Sequence, residues 1–85
     1  MKIVQSETPA FSIFTQEQLD TLEQACRTVE PRLYISEIDY LKGTVTLGMH
    51  YDNFDQDNFM SVNVASDSVP AAFYDVYTCA YERCI

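Results

Sequence analysis

The chain has few basic residues for its size. Its 5 lysines and arginines are outnumbered by 13 aspartates and glutamates, which gives a formal net charge of -8 at pH 7. A field of this sign repels nucleic acids and anionic membranes and attracts basic proteins. We therefore expect no direct binding to nucleic acid or membrane, and a basic, nucleic-acid-binding protein as partner. Acidity that serves only solubility explains the same composition.

Glycine and histidine are scarce as well. Gly43 and Gly48 are the only glycines, which excludes a glycine-rich phosphate loop. One histidine and three scattered cysteines do not offer the closely spaced ligands of a zinc site, so no metal or cofactor is expected. The odd number of cysteines, and first residues unlike a secretory signal, favour a reducing cytoplasm. We expect Cys26, Cys79 and Cys84 to behave as small buried hydrophobic residues.

The length of the chain leaves room for one hydrophobic core, since there are only 85 residues. Hydrophobic residues make up 47% of them, which is too many for intrinsic disorder despite the charge. We therefore expect a single folded domain over residues 1–85.

A helix is predicted between Thr15 and Pro31. Thr15 followed three residues later by Gln18 is a capping-box pattern, which marks the start of a helix. Apolar residues then recur at spacings of three and four, which predicts one buried face. The charged residues, Glu23 and Arg27 among them, are predicted to lie on the outer side. Proline ends the helix because it lacks an amide donor.

Four segments have the composition of β-strands. Lys2 to Gln5 is a short one, and Leu33 to Leu41 is a longer one. The alternation of the longer segment slips near Ser36, which indicates a β-bulge. After a turn, residues 44–51 and 60–65 alternate between apolar and polar residues, as hairpin strands with one buried face do. The last three strands are predicted to form an antiparallel meander.

The final segment, from about Val69 to Cys84, is predicted to be a helix. Ser68 is placed to accept from free amide groups, and Pro70 is tolerated in a first turn. Residues 73–78 are also rich in β-formers, so a strand is the alternative. The fold class expected is α+β, a small domain with an antiparallel three- to four-stranded sheet, two helices on one face, and the order β-α-β-β-β-α.

The loop between the hairpin strands, residues 52–58, holds three carboxylates. Alignment with a calcium-binding loop fails, because Asn58 and Val64 stand where glycine and glutamate are needed, and strands flank the loop. His50 is the only histidine of the chain and Asp52 is placed to orient it as a general base, but nothing supplies the rest of a catalytic triad. We expect a surface histidine, no metal site and no enzymatic activity.

Carboxylates on the first helix and on the hairpin loop are the candidate contacts to a basic partner. Arrayed in this way, they imitate the phosphates of a nucleic acid and suit the basic groove of a nucleic-acid-binding protein. The candidates are Glu17, Asp20 and Glu23 on the helix, and Asp52, Asp55 and Asp57 on the loop.

Three of the six tyrosines, Tyr74, Tyr77 and Tyr81, fall on one side of the last helix. Tyrosine suits interfaces because it combines a large apolar area with a hydroxyl group and few rotatable bonds. The sequence leaves two interpretations open. The tyrosines either pack the helix onto the sheet or form an exposed patch for a partner or a second copy of the chain.

The hairpin region resembles one known family. The stretch Tyr51-Asp52-Asn53-Phe54-Asp55-Gln56-Asp57-Asn58, followed by Met60, Ser66-Asp67 and Pro70, is similar to the acidic hairpin of the phage uracil-DNA glycosylase inhibitors. The order of strand, helix and strands is similar too. The resemblance implies a protein that plugs a DNA-binding groove. It makes Glu7 the groove-inserting acid, although Ser6-Glu7-Thr8 stands where the family has Glu-Ser-Ile, and the family ends in strands.

These features together predict a non-catalytic, acidic, protein-binding inhibitor that mimics nucleic acid and comes from a phage or mobile element. Anti-CRISPR proteins fit the composition equally well. The alternative is a small structural homo-oligomer, such as a homodimer, or an adaptor whose tyrosine-bearing last segment forms the interface.

Overall fold

The computed structural model describes residues 1–52 and 55–84. Within those residues, a four-stranded mixed sheet is packed against two helices, in the predicted order β-α-β-β-β-α. The elements are β1 (Lys2–Val4), α1 (Gln16–Val29), β2 (Leu33–Asp39), β3 (Thr44–Met49), β4 (Asn58–Asn63) and α2 (Val69–Cys84). The predicted α+β class is confirmed, and the last segment is a helix rather than a strand.

Strand order across the sheet follows the chain, β1-β2-β3-β4. β2 to β4 form the predicted antiparallel meander, and the predicted irregularity of β2 is a register shift between Ile35 and Glu37. β1 differs from the prediction of an antiparallel sheet, because it pairs parallel to β2, with Ile3 beside Ile38. The connection explains the direction: α1 crosses over between the two strands and returns the chain to the same end of the sheet.

The caps and turns form as the sequence predicts. Thr15 Oγ1 accepts from Gln18 N at 3.1 Å, and Gln18 Oε1 accepts from Thr15 N at 2.8 Å, so both halves of the capping box are present. In the β2–β3 turn, the buried carboxylate of Asp39 accepts from Leu41 N at 3.0 Å. Gly43 closes this turn at φ +77°, a conformation that glycine adopts without strain.

The core lies between the two helices and one face of the sheet. α1 contributes Leu19, Leu22 and Cys26, β2 and β3 contribute Leu33, Ile35, Ile38, Val45 and Leu47, and α2 contributes Ala72, Val76 and Ala80. The buried residues of α2 are all small, which allows the helix to pack closely. The other face of the sheet carries polar residues such as Thr46 and Ser61, whose hydroxyl oxygens lie 3.1 Å apart.

The helices α1 and α2 run side by side in the same direction. Their first turns line one hollow, with Thr15 and Glu17 on one side and Val69 on the other. Their last turns also lie close together. Glu30 caps the end of α1, and it is near enough to Cys84 of α2 for its charge to add to the effect of burial and raise the pKa of the thiol. We call the end that carries these last turns, residues 50–52 and residues 55–57 the hairpin end. The end that carries the first turns is the opposite end. No helix of the described residues is long and apolar enough to cross a membrane.

Two charged residues of α1 bind the backbone of β2. Glu23 Oε2 accepts from Ile35 N at 2.9 Å, and Arg27 Nε donates to Leu33 O at 3.0 Å. An ion pair of 3.3 Å joins the two side chains, and we call the arrangement the Glu23–Arg27 clamp. β1 pairs with β2 only from Glu37 to Asp39. The clamp bonds to Leu33 and Ile35, in the half of β2 that β1 does not reach.

The position of the clamp corrects the prediction that Glu23 lies on the outer side of α1, while Arg27 is exposed as predicted but also bonds to β2. Both are polar, so the helical pattern assigned them to solvent. A long charged side chain at the border of the buried face nevertheless reaches the backbone of a neighbouring strand while its end stays partly in water.

We expect Glu23→Ala to lower the free energy of unfolding by about 1–3 kcal/mol, because the part-buried amide of Ile35 loses its acceptor. Urea unfolding followed by circular dichroism measures the change. Glu17→Ala is the control, since Glu17 is an exposed acid on the same helix, and its effect should stay within about 0.5 kcal/mol. Equal losses in the two variants would contradict a structural role for the clamp.

Candidate functional site

The hairpin end carries the predicted acidic loop. Asp52 and Asp55 are exposed, and the Asp52 side chain keeps 96% of its surface open to solvent. Asn53 and Phe54, which belong to the predicted loop and to the family resemblance, lie outside the described residues. Two of the three predicted loop carboxylates are therefore open to a partner.

The third carboxylate, Asp57, joins two side chains of the sheet. The Tyr34 hydroxyl donates to Asp57 Oδ2, and His50 Nδ1 lies 2.7 Å from Asp57 Oδ1. The strands place these groups: Tyr34 is the second residue of β2, while His50 directly follows β3 and Asp57 directly precedes β4. Asp57 thus fixes the base of the loop rather than standing free in solvent.

Gly48 makes room for this network. It lies opposite Tyr34 in the register of β2 and β3, and a Cβ at this position would lie 2.6 Å from the Tyr34 hydroxyl oxygen. That distance is well inside van der Waals contact. The tyrosine ring therefore lies across the backbone of β3, and its hydroxyl reaches Asp57. The sequence did not predict this role, because it depends on the register of the sheet.

The network sets the charge at the base of the loop. The hydrogen bond from Tyr34, and then the one from His50, hold the pKa of Asp57 below its usual value. The hydrogen bond to Asp57 raises the pKa of Tyr34, and burial adds to the rise. Asp57 is therefore an anion, and Tyr34 a neutral donor, at neutral pH.

His50 is exposed, as predicted, but its main carboxylate partner is Asp57 rather than Asp52. Asp52 Oδ1 lies 3.8 Å from His50 Nε2, beyond hydrogen-bond distance. Within residues 1–52 and 55–84, no serine, threonine or cysteine is hydrogen-bonded to His50. The described geometry is that of a histidine held by a carboxylate, with no attacking group placed beside it.

The acids predicted on α1 do not join those of the loop. Glu17 and Asp20 are exposed near the start of α1, at the opposite end of the molecule. The length of the helix separates them from the hairpin end by about 20 Å. The third predicted acid, Glu23, is held in the Glu23–Arg27 clamp. The six candidate carboxylates therefore do not form one surface. Three lie at the hairpin end, two lie near the start of α1, and Glu23 binds β2.

The tyrosines of α2 are divided between solvent and the protein. Tyr74 and Tyr81 keep 69% and 51% of their surface exposed, and Tyr77 is half-buried. Because alanine and valine make the closest contacts of α2 with the core, the helix does not need Tyr74 and Tyr81 for packing. The interpretation that the tyrosines pack the helix onto the sheet is wrong for these two residues.

Two other groups of titratable residues lie between the elements. A hydrogen bond with Asp75, together with burial, raises the pKa of Asp67 just before α2. Burial, together with the nearby thiols of Cys79 and Cys84, raises the pKa of Cys26 to about 11. Cys26 is buried as predicted, while Cys79 and Cys84 are half-buried. No cluster of histidine, cysteine or acidic residues suited to a metal ion is found among the described residues.

Comparison of the chain with protein-family models, curated proteins and solved structures finds no match.

We expect Gly48→Ala to lower the free energy of unfolding by about 1–3 kcal/mol, because the new methyl group displaces the Tyr34 ring. Tyr34→Ala in the same chain should recover part of the loss, since it removes the group that clashes. Thermal and urea unfolding of the two single variants and the double variant give the coupling. If the losses of stability in the two single variants add strictly in the double variant, the position of the Tyr34 ring does not depend on Gly48.

The lowered pKa of Asp57 gives its contribution to stability a pH dependence of known sign. Because the unfolded chain takes up the proton first, the contribution is complete above about pH 4 and is lost as the pH falls further. We expect Asp57→Asn to destabilise the protein at pH 7 and to approach wild-type stability near pH 2. Urea unfolding across this range measures the difference, with Asp55→Asn as the exposed control. A difference that stays constant with pH would contradict this assignment.

Proposed function

We propose that the protein is a non-catalytic inhibitor that binds a basic, nucleic-acid-binding protein through its acidic surface. In this proposal it acts in the cytoplasm as a partial nucleic-acid mimic of the phage or mobile-element type. The observation that carries the proposal is the set of exposed carboxylates that form no ion pair with a lysine or arginine among the described residues.

Ion pairs take up most of the basic residues. Lys2, Arg27 and Arg32 each lie within 4.0 Å of a glutamate, at Glu37, Glu23 and Glu30 respectively. The exposed acids outside these pairs are Glu7, Glu17, Asp20, Asp52, Asp55 and Glu82. No lysine or arginine among the described residues pairs with them. Asp52 also lies near His50 and Arg32, which offset part of its charge. The charge of the other five acids is available to attract a basic partner.

The hairpin end carries the densest run of acidic residues in the sequence. Asp52, Asp55 and Asp57 lie within six residues of chain, whereas the predicted acids at the opposite end are Glu17 and Asp20. The network with Tyr34 and His50 fixes Asp57, so one of the three charges is held in place before a partner binds. A charge that is already positioned costs less conformational entropy on binding.

Charge density limits how far the mimicry extends. The longest dimension of the protein is 40 Å, and the net charge is -8. A DNA duplex of that length carries roughly 24 phosphate charges. The protein therefore does not reproduce the field of a whole duplex. The proposal is that the hairpin end replaces a few phosphates in a basic groove.

The resemblance to the phage inhibitors supports this proposal at the hairpin end only. Glu7, the acid that the resemblance makes groove-inserting, is exposed but lies three residues after the end of β1. α2 stands where that family has strands. The proposal therefore rests on Asp52, Asp55 and Asp57, and it does not depend on Glu7.

We expect immobilised protein to capture a basic nucleic-acid-binding protein from bacterial lysate at low salt and to release it at high salt. Asp52→Asn/Asp55→Asn should reduce the capture by about tenfold, because it removes two exposed charges at the hairpin end. Glu17→Gln/Asp20→Asn is the matched control, which removes the same charge from the opposite end. Mass spectrometry identifies and counts the captured protein. Capture that salt does not change, or equal losses in both variants, would falsify the assignment of the hairpin end.

A second candidate function is a homo-oligomer that uses the tyrosines of α2. The observation that favours it is the exposure of Tyr74 and Tyr81 on a helix whose buried face is made of small residues. Exposed aromatic side chains one or two turns apart are typical of an interface. In that case the acidity serves solubility alone.

Sedimentation equilibrium tests this candidate. If the tyrosines form the interface, the protein is a dimer, and Tyr74→Ser/Tyr81→Ser makes it a monomer without loss of fold, because both side chains are exposed. Thr21→Ala, on the exposed side of α1, is the control that should leave the dimer intact. A monomeric wild-type protein at high concentration would exclude this function.

A further inference from the structure

The two edges of the sheet differ in how they are protected. An edge strand presents unpaired amide and carbonyl groups, and soluble proteins usually block such an edge with charge, proline, a bulge or a covering segment. On the first edge, β1 is only three residues long and carries Lys2, which lies 3.9 Å from Glu37. The Glu23–Arg27 clamp covers the rest of that edge by bonding to Ile35 N and Leu33 O.

The other edge, β4, has none of these devices. Its sequence, Asn58 to Asn63, contains no charged residue and no proline. Six consecutive residues pair with β3 in unbroken register, so β4 has no bulge. Its length is sufficient for a second strand to pair with it, since strands of five or six residues are the most common.

The register shows which groups of β4 point outward. Val64 N donates to Gly43 O at 2.8 Å, and hydrogen-bonded pairs alternate along an antiparallel ladder. Val62 and Met60, two and four positions before Val64, are therefore the residues whose backbone groups bond to β3. The amide and carbonyl groups of Phe59, Ser61 and Asn63 point away from the sheet. Within the described part of the chain, these backbone groups have no hydrogen-bond partner.

The charge around β4 selects its occupant. Asp55 and Asp57 precede the strand, so a neutral edge is bordered by carboxylates at its hairpin end. Asp67 follows the strand, but one of its carboxylate oxygens is buried and the side chain is hydrogen-bonded to Asp75. One base, Arg83, borders the hairpin end of this edge, where it is outnumbered. A second copy would bring together two chains that each carry a net charge of -8. A positively charged strand has no such conflict.

We infer that β4 binds an extended, basic segment of the partner protein as a fifth strand of the sheet. The inference rests on the proposed function, because the partner is the same basic protein. The outward groups of Phe59, Ser61 and Asn63 supply the hydrogen bonds, and the 59% exposed side chain of Phe59 supplies apolar contact. Asp55 and Asp57, at the hairpin end of β4, bind basic residues that flank the added strand.

A synthetic peptide tests the edge directly. The probe is an alternating valine–threonine peptide with lysines at both ends. We expect it to slow amide exchange of Phe59, Ser61 and Asn63 by about tenfold or more, as measured by NMR, because these amides acquire acceptors. The same peptide N-methylated at alternate residues is the control, since it keeps the charge and loses the donors. A peptide with glutamates in place of the lysines should not bind.

A variant of the protein gives an independent measurement. Ser61→Pro removes an outward amide that the fold does not use and should weaken peptide binding by about tenfold. Ser61→Ala keeps the amide and should bind as the wild type does. If Ser61→Pro fails to fold, the exchange data and the N-methylated peptide still decide the result.

Each remaining outcome overturns the inference in a distinct way. If the N-methylated peptide binds equally well, or if no protection of the three amides accompanies binding, the contact is made by the acids alone and the proposed function stands. If the lysine peptide does not bind at all, β4 is not a docking edge. If protection rises with protein concentration in the absence of peptide, a second copy occupies β4.

Discussion

The contact between α1 and the backbone of β2 organises the rest of the structure. Glu23 and Arg27 bond to the half of β2 that β1 does not reach. They hold the helix against the sheet by hydrogen bonds as well as by apolar packing. A short β1 is therefore sufficient, because the clamp completes its edge. The free edge of the sheet is consequently on the other side, at β4, next to the acidic loop.

The sequence predicts the local elements well and the long-range contacts poorly. The capping box at Thr15, the bulge near Ser36 and both helices depend on neighbouring residues, and the structure confirms them. The parallel direction of β1 depends on how α1 crosses the sheet. The residues in and around Lys2 to Val4 carry no pattern that indicates this crossover. An antiparallel neighbour is also the more common case.

In the candidate site, too, the sequence predicts local features and misses those that depend on contacts between strands. The composition of the loop reveals its carboxylates, so Asp52 and Asp55 are predicted as exposed acids and are exposed. Asp57 is instead held by the hydroxyl group of Tyr34, whose ring lies in the space that Gly48 leaves. Tyr34 and Gly48 belong to two other strands. Only the register of β2 with β3 brings them together. The exposure of Tyr74 likewise depends on which face of α2 carries the small residues that fit the core.

The parallel course of the two helices has an electrical consequence. Each helix carries a macrodipole whose negative pole is at its C-terminus, and both C-termini lie at the hairpin end. The peptide dipoles therefore add their negative poles to the charge of Asp52, Asp55 and Asp57, while Arg27, Arg32 and Arg83 offset part of the sum. The helix dipoles are therefore aligned with one another, and both point their negative poles toward the acidic loop. A cationic protein diffusing toward the hairpin end meets the negative poles of both helices before any contact forms.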